Sequence, residues 1–226
     1  IHLPNGDIYI KKHMDGVIFA GEVDIRVIEE FRKQSIPVVL VNNYLDMDGL
    51  VCISADHYGG AVQATEYLCK LGHCKIGLLS GRFSPQVSEA RIEGFVKTLA
   101  KYDIPVDDRF IADIEPALED GEEIMTRMLR GVDRPTAFFC TNDTIAAGAM
   151  KAVTRAGLRV PEDIAIIGFD DSYISRVVEP ELTTVRIDAA KMGCLAMQTL
   201  FDLIAGMPVE KAHIQIPTEL IVRGTA

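Results

Sequence analysis

Two adjacent carboxylates follow an apolar run of the sequence, at a place where they could bind a small molecule. Asp170 and Asp171 come directly after the run IAIIGF. An ionised carboxylate can accept hydrogen bonds from two neighbouring hydroxyl groups, which is the pattern that a sugar offers. The alternative is that the pair forms a turn or caps the next segment, and spacing alone does not separate these two roles.

A second polar pair, Asn142 and Asp143, follows the apolar run TAFFC and precedes an alanine-rich segment. One member of the pair is expected to cap the N-terminus of the helix that begins there. Asp143 is the better cap candidate, and Asn142 is the better ligand because an amide both donates and accepts hydrogen bonds. The alternative is that both residues are purely structural.

Arg91 and three aromatic residues complete the set of candidate binding groups. The guanidinium of Arg91, in the segment after GRFSPQ, carries five N–H donors that suit ring and hydroxyl oxygens. Alternatively, Arg91 is an exposed helix residue paired with a nearby carboxylate. An aromatic face beside these positions can cover the C–H side of a sugar ring. The aromatic candidates are Tyr58, Phe83 and Phe169, and each could instead belong to the core.

Motifs that would indicate an enzyme or a metalloprotein are absent from the sequence. It contains no GxxxxGK(S/T) phosphate loop, no GxGxxG turn, no HExxH and no GxSxG. The five histidines are scattered, and His73 is expected to end a helix and not to act as a base. The five cysteines form no CxxC pair and match no zinc spacing, so they are expected to be buried, reduced thiols of a cytosolic protein. We therefore predict no catalytic residue, no metal and no cofactor.

The candidate residues are positioned by apolar runs that alternate with amphipathic segments. The runs are apolar throughout, which predicts strands of a sheet that is covered on both faces. Strands alternating with helices indicate an α/β fold with a parallel sheet and right-handed crossovers. The predicted strands are 15–20, 36–41, 75–80, 136–140 and 164–169, and the predicted helices are 24–35, 60–72, 87–101, 118–130, 144–156 and 188–205.

Ligands of open α/β sheets bind where the carboxyl ends of the strands meet the loops. The polar residues that follow the apolar runs are therefore the ones expected at a binding site. Besides the two pairs above, they are Asn42, Asn43, Asp56 and the segment 82–91.

The composition is that of a globular domain that binds nucleic acid poorly. The 226 residues are 48% hydrophobic and 25% charged, with a formal net charge of −10. A negative surface repels phosphate backbones, so a DNA-reading element is expected outside this sequence. No apolar run approaches the roughly 18 residues of a membrane span. The start, IHLPNGDIY, has neither Met nor the pattern of an export signal, so we expect a piece of a larger protein.

Several segments, taken in order, closely resemble the ligand-binding region of LacI/GalR-type repressors. The resemblance covers essentially the whole chain from Asp15 onward and is most specific between Pro135 and Asp171. The segments are DGVIFAG, IPVVLVNN, ATEYLCKLGHCKIGLLSG, SEARIEGFVKTL, PTAFFCTNDTIAAGAMKAVTRAGLRVPEDIAIIGFDD, PELTTVRID and PTELIVRGT.

The resemblance implies the periplasmic-binding-protein-like type I fold, with two Rossmann-like subdomains that contain parallel sheets, a cleft between them and three crossing strands as a hinge. Residues 1–72 and 187–216 would form the N-terminal subdomain, and residues 73–186 and 217–226 the C-terminal one. The family's N-terminal helix-turn-helix has no counterpart here. About 50–60 residues at the start of the first subdomain are also missing by the usual domain length, so that subdomain is expected to be incomplete.

The resemblance also assigns residues to the cleft. Arg91 in SEAR, Asn142 in TND and Asp170 in GFDD match positions that hold the effector in sugar-binding members. Asp56 and Tyr58 fall in the loop that supplies contacts from the first subdomain. At two further positions the chain departs from some relatives: Ile114 stands where they place a stacking aromatic, and Ile187 replaces a polar group.

The function implied is that of an effector-binding and dimerisation domain that regulates DNA binding allosterically. A sugar or sugar phosphate leads as effector, with purines and protein co-regulators as alternatives. The effector would favour a closed cleft and so change the relative orientation of the two DNA-reading domains of a cytoplasmic homodimer. The protein would contact its operator only through the absent helix-turn-helix. The rival functions are a periplasmic sugar-binding protein of an ABC transporter and an enzyme built on a doubly wound sheet.

Overall fold

In the computed structural model, residues 14–43, 45, 47, 49–131, 133–208 and 212–226 are described. They form ten strands and six α-helices in the order expected of an α/β protein. The strands are β1 (Val17–Ala20), β2 (Val38–Val41), β3 (Val51–Ala55), β4 (Ile76–Gly81), β5 (Ile111–Ile114), β6 (Ala137–Cys140), β7 (Ala165–Asp170), β8 (Thr183–Arg186), β9 (His213–Ile216) and β10 (Glu219–Ile221). The helices are α1 (Ile25–Lys33), α2 (His57–Lys70), α3 (Pro85–Lys101), α4 (Leu118–Met128), α5 (Asp143–Arg155) and α6 (Ala189–Ile204).

The chain divides into two compact units. The first contains the residues up to Ala55 together with Asp188–Ile216, and the second contains Asp56–Ile187 and Pro217–Ala226. Residues 56–72 therefore lie in the second unit, whereas the sequence assigned them to the first. The reason is that α2 packs along α3, and that its inward side chains, such as Leu68, belong to the core of the second unit.

The first unit contains a four-stranded parallel sheet in the order β1-β2-β3-β9. Strands β1, β2 and β3 are short, mostly apolar runs, which suits a sheet that is covered on both faces, whereas the edge strand β9 (HIQI) has exposed polar residues. Helix α1 begins after Asp24, whose carboxylate accepts a hydrogen bond from the backbone N–H of Arg26. The helix then buries Ile28 and Phe31 against Leu40. Helix α6 packs on β2 and β3.

The second unit contains a six-stranded sheet in the order β10-β8-β7-β6-β4-β5, parallel except for β10, which pairs antiparallel with β8. Two separate apolar clusters cover its faces, one with α2 and α3 and the other with α4 and α5. The residues after β10 also bind the sheet. The Thr225 hydroxyl donates to the carbonyl of Ile166 at 2.6 Å and accepts from the backbone N–H of Thr183 at 2.9 Å. The predicted α/β fold with parallel sheets is confirmed.

Among the described residues, none of the helices combines the length and the apolar character that crossing a bilayer requires.

Glycines set the close contact between α4 and α5, and this gives a test of the packing. A Cβ at Gly148 would clash with the backbone carbonyl of Leu118, whereas a Cβ at Gly193 in α6 meets nothing within 4 Å. We expect Gly148→Ala to lower the free energy of unfolding by about 1–3 kcal/mol, because overpacking forces backbone shifts. We expect Gly193→Ala to raise it by about 0.5–1 kcal/mol, because alanine favours a helix interior. Urea unfolding followed by circular dichroism measures both, and equal effects would contradict this account of the interface.

Candidate functional site

The seven residues expected to bind a ligand all lie in the second unit, near the carboxyl ends of β4, β6 and β7 or at the starts of α2 and α3. The sequence assigned two of them, Asp56 and Tyr58, to the first subdomain, and the structure corrects this. Both lie at the start of α2, which approaches α3 so closely that a Cβ at Gly94 would clash with the carbonyl of Tyr58. The seven residues are Asp56, Tyr58, Phe83, Arg91, Asn142, Phe169 and Asp170.

The guanidinium of Arg91 is fixed by three acceptors. The side chain is only 4% exposed, so the alternative of an exposed helix arginine is wrong. Nη1 donates to the backbone carbonyl of Thr141, and Nη2 lies 3.2 Å from His57 Nδ1 and 3.3 Å from Asp170 Oδ1. A buried cation is tolerated only when it is paired and hydrogen-bonded, and these contacts supply that compensation. Arg91 is therefore held in one orientation at the edge of the sheet.

Two phenylalanine rings flank the same guanidinium. Its central carbon lies 3.9 Å from the ring centroid of Phe169 and 4.9 Å from that of Phe83. The Phe169 ring is fully buried and also packs against His57 and Phe139. Phe169 thus supports Arg91 and presents no face to a ligand, contrary to the expectation that it covers a sugar ring. Phe83 is half-buried, so its ring remains partly open to solvent.

His57 is a site residue that the sequence did not identify. It is 2% exposed at the first position of α2. Burial, and then the positive charge of Arg91, lowers the pKa of His57 to about 3, so the ring is neutral at physiological pH. Since Nδ1 faces the Arg91 donor, it must accept, and the ring proton resides on Nε2. The only sequence signal was its position directly after Asp56, at the end of a strand.

Asp170 ends β7 with its carboxylate beside Arg91 and about a third of the side chain, 36%, exposed. Burial raises the pKa of Asp170. The positive charge of Arg91 lowers it and the negative charge of Asp143 raises it further, so the pKa of Asp170 is about 6. The backbone φ is +107° at Asp170 and +51° at Asp171, a region that residues other than glycine seldom adopt. Such strain is concentrated at ligand sites.

The roles of the second polar pair are the reverse of those expected. Asn142 is the N-cap of α5, and its Oδ1 accepts from the backbone N–H of Ile145 at 2.8 Å. Asp143 is buried, and its carboxylate accepts from the Ser172 N–H at 2.6 Å and from the Thr184 hydroxyl. The Asp143 carboxylate binds the loop after β7, and the Asn142 amide therefore caps the helix. The Asn142 cap uses the oxygen, and the Nδ2 amino group can still donate to a ligand.

Asp56 and Tyr58 occupy the first turn of α2. The Asp56 carboxylate caps that helix by accepting from the Gly59 N–H at 2.8 Å, which explains why α2 begins at His57, three residues before the predicted start. Tyr58 is 38% exposed, with Lys97 Nζ 5.8 Å from its ring centroid. Tyr58 is thus an exposed aromatic face beside α3.

Asp171 has a structural role, unlike its neighbour Asp170. Its side chain is 2% exposed and forms ion pairs with Arg223, Arg186 and Arg176. Within the described parts of the chain, no group of three or more His, Cys, Asp or Glu side chains is arranged to hold a metal ion.

Comparison with known proteins gives consistent matches. Residues 65–226 match the family described as periplasmic binding protein-like domain. The probable HTH-type transcriptional repressor ExuR of Bacillus subtilis is 34% identical over 98% of this chain and 67% of its own length. The chain spans about two thirds of the length of the curated relatives it matches.

Solved structures agree with these matches. A regulatory protein of the LacI family from Chloroflexus aggregans superposes with a TM-score of 0.87 at 30% identity, over 93% of this chain and 76% of that one. A LacI family transcriptional regulator from Enterococcus faecium with bound ribose superposes with a TM-score of 0.85 at 28% identity, over 93% of this chain and 79% of that one.

Proposed function

Since the chain belongs to the LacI/GalR family of transcription repressors, as an effector-binding domain, we propose that it binds a sugar or sugar phosphate at the carboxyl edge of β4, β6 and β7. The observation that carries the proposal is the placement of the buried Arg91 guanidinium 3.3 Å from the Asp170 carboxylate. A fixed donor beside an acceptor matches neighbouring hydroxyl groups, which both donate and accept. The Enterococcus faecium relative with bound ribose supports this choice of ligand.

We further propose that effector binding regulates the DNA affinity of a longer, cytoplasmic, homodimeric repressor. The relatives are named as HTH-type transcriptional repressors, and the net charge of −10 disfavours DNA binding by this region itself. An effector shifts a conformational equilibrium only by its difference in affinity for the two states. Moving the balance from 1:99 to 99:1 takes roughly 5.5 kcal/mol of that difference.

The two rival functions are less well supported. The curated relatives ExuR, PurR and CytR are repressors and not transport proteins. For an enzyme, the arrangement offers no activated nucleophile, because the neutral nitrogen of His57 is engaged by Arg91. We propose that the ligand leaves the site unchanged.

A thermal-shift screen tests the proposed function. The panel contains monosaccharides, disaccharides, their phosphates, uronates and nucleobases, and calorimetry follows for each hit. A true ligand at 100 times its Kd stabilises the folded chain by about 2.7 kcal/mol, so one chemical class should raise the melting temperature while the rest do not. The ligand should be recovered intact after incubation. No stabilisation by any class, or conversion of the ligand, would contradict the proposal.

The ionisation of Asp170 predicts how affinity depends on pH. Because the pKa of Asp170 is about 6, lowering the pH from 7.5 to 5 protonates most of its carboxylate, and sugar affinity should fall about tenfold. The pKa is raised in the folded state, so the stabilising contribution of this group is present below about pH 4 and is lost as the pH rises through 6. As the pH rises, the sugar affinity should therefore increase while the contribution of Asp170 to the stability of the fold decreases. Calorimetry at the two pH values should show the affinity change in the wild type and not in Asp170→Asn; an identical change in both would remove Asp170 from the site.

A further inference from the structure

We propose that His57 is a positioning residue for effector binding, which holds the Arg91 guanidinium from the first turn of α2 in the orientation that faces Asp170. The inference rests on the proposed function, since it concerns the same site. It adds a residue that contacts Arg91 and not the ligand.

The first support is the packing of three side chains into one group. His57 is 2% exposed, and its Nδ1 lies 3.2 Å from Arg91 Nη2. The His57 ring centroid lies 6.1 Å from that of Phe169, and Phe169 in turn lies under the guanidinium at 3.9 Å. A buried ring wedged in this way has little freedom to rotate, so the direction of its lone pair is fixed. Arg91 Nη2 is thus placed by His57 on one side and Asp170 on the other.

The second support is chemical, because the site needs an acceptor that carries no charge. A carboxylate at position 57 would neutralise Arg91 and compete with Asp170 for it. A neutral imidazole supplies a lone pair and leaves the positive charge of Arg91 available to Asp170 and to a ligand oxygen. The lowered pKa of His57 agrees with this, since the ring stays neutral throughout the physiological range.

The third support is the place of His57 along the chain. Asp56, its neighbour, is the first residue of the second unit, and the backbone carbonyl of Asp56 accepts from the Thr218 hydroxyl at 3.2 Å. Thr218 follows the point where the chain enters the second unit for the last time, at Pro217. The first turn of α2 therefore contacts Arg91 through His57 and Thr218 through Asp56. Asp56 and Thr218 both lie at points where the chain enters the second unit.

The test compares two substitutions that differ in whether they keep an acceptor. Asparagine can place its Oδ1 close to the position of the imidazole Nδ1, whereas leucine fills the space without a lone pair. Calorimetry uses D-ribose, or the panel member that stabilises the wild type most. We expect His57→Leu to weaken binding about tenfold or more and His57→Asn to stay within about threefold of the wild type, since a hydrogen bond to a charged group contributes about 1.5–3 kcal/mol.

A double-mutant cycle separates positioning from general damage to the fold. In an Arg91→Lys background, which keeps the charge and loses Nη2, His57→Leu should change affinity less than twofold. Equal losses in both backgrounds, or wild-type affinity in His57→Leu, would overturn the inference while the proposed function stands. If no panel member binds the wild type, the proposed function itself fails, and the inference fails with it.

A measurement on the ligand-free wild type does not depend on how the variants fold. Nitrogen NMR of the imidazole should show a neutral ring with its proton on Nε2 between pH 5 and 8. A protonated Nδ1 in that range would show that His57 does not accept from Arg91.

Discussion

Arg91→Ala is expected to weaken effector binding about a hundredfold or more. The substitution removes the donors at the centre of the site and leaves the Asp170 carboxylate without its cation. Hydrogen bonds to charged groups contribute about 1.5–3 kcal/mol each, so losing two hydrogen bonds from Arg91 to the effector would correspond to at least about a hundredfold in Kd. Calorimetry with the best ligand of the panel measures this, and circular dichroism checks that the second unit remains folded.

The matched control is Arg109→Ala, which removes the same charge from a side chain that is 66% exposed and pairs with Asp107 and Asp133. Its effect on affinity should be less than twofold, because surface ion pairs far from a ligand are screened. Arg91→Lys should lie between the two, since lysine keeps the charge and lacks the planar fork of donors. Wild-type affinity in Arg91→Ala would remove the site from this edge of the sheet.

Asp171→Asn is expected to lower the free energy of unfolding of the second unit by about 3 kcal/mol or more. The Asp171 carboxylate accepts from Arg223, from Arg186 Nε at 2.8 Å and from the Ser175 hydroxyl at 3.1 Å. Removing one partner of a buried ion pair is destabilising, and Arg223, whose side chain is 12% exposed, would keep only the exposed Glu181, at 3.6 Å, as a carboxylate partner. Asparagine tolerates the positive φ at this position, so the substitution tests the charge and not the backbone.

The same residue predicts a loss of stability in acid. Burial raises the pKa of Asp171, but the hydrogen bonds from Arg223, Arg186 and Ser175 outweigh it and lower the pKa to about 2. A depressed pKa contributes stability above about pH 4, and this is lost as the pH falls towards 2. Urea unfolding at pH 7 and pH 2.5 should therefore show a difference between wild type and variant that shrinks in acid. Asp133→Ala, at a side chain that is 68% exposed, serves as control and should change little at either pH; a constant difference for Asp171→Asn would contradict the ion-pair account.

Four of the five strands that the sequence predicted, β2, β4, β6 and β7, are largely buried, whereas the fifth, β1, is only partly buried. Runs such as KIGLLS and TAFFC became β4 and β6 because burial on two faces requires apolar residues without alternation. Five strands were not predicted, namely β3, β5, β8, β9 and β10. Because β3 is buried at all five of its positions, burial alone does not separate the predicted strands from the missed ones. β9 is a short edge strand with exposed residues, and β10 has three residues and pairs antiparallel. Their pairing depends on partners far away in the sequence, so no local pattern reveals it.

The position of the candidate site could be predicted from the ends of the strands. The contacts between its side chains could not. Arg91 and Asp170 were chosen because polar groups at carboxyl ends of parallel strands share one edge. The burial of Arg91 depends on α2, which the sequence assigned to the other subdomain, so the contact with His57 could not be foreseen. The exchange of roles between Asn142 and Asp143 likewise depends on the loop after β7, which needs the carboxylate.

The attachment of Thr225 to Ile166 and Thr183 bears on how the protein is made. A ribosome must deliver residues 219–225 before β8 gains its antiparallel neighbour and before Arg223 reaches Asp171. Until then the nascent chain carries an open strand edge and a carboxylate that lacks one of its cations. The second unit therefore completes its folding only once Thr225 has left the exit tunnel, after the first unit's own strands have already been translated.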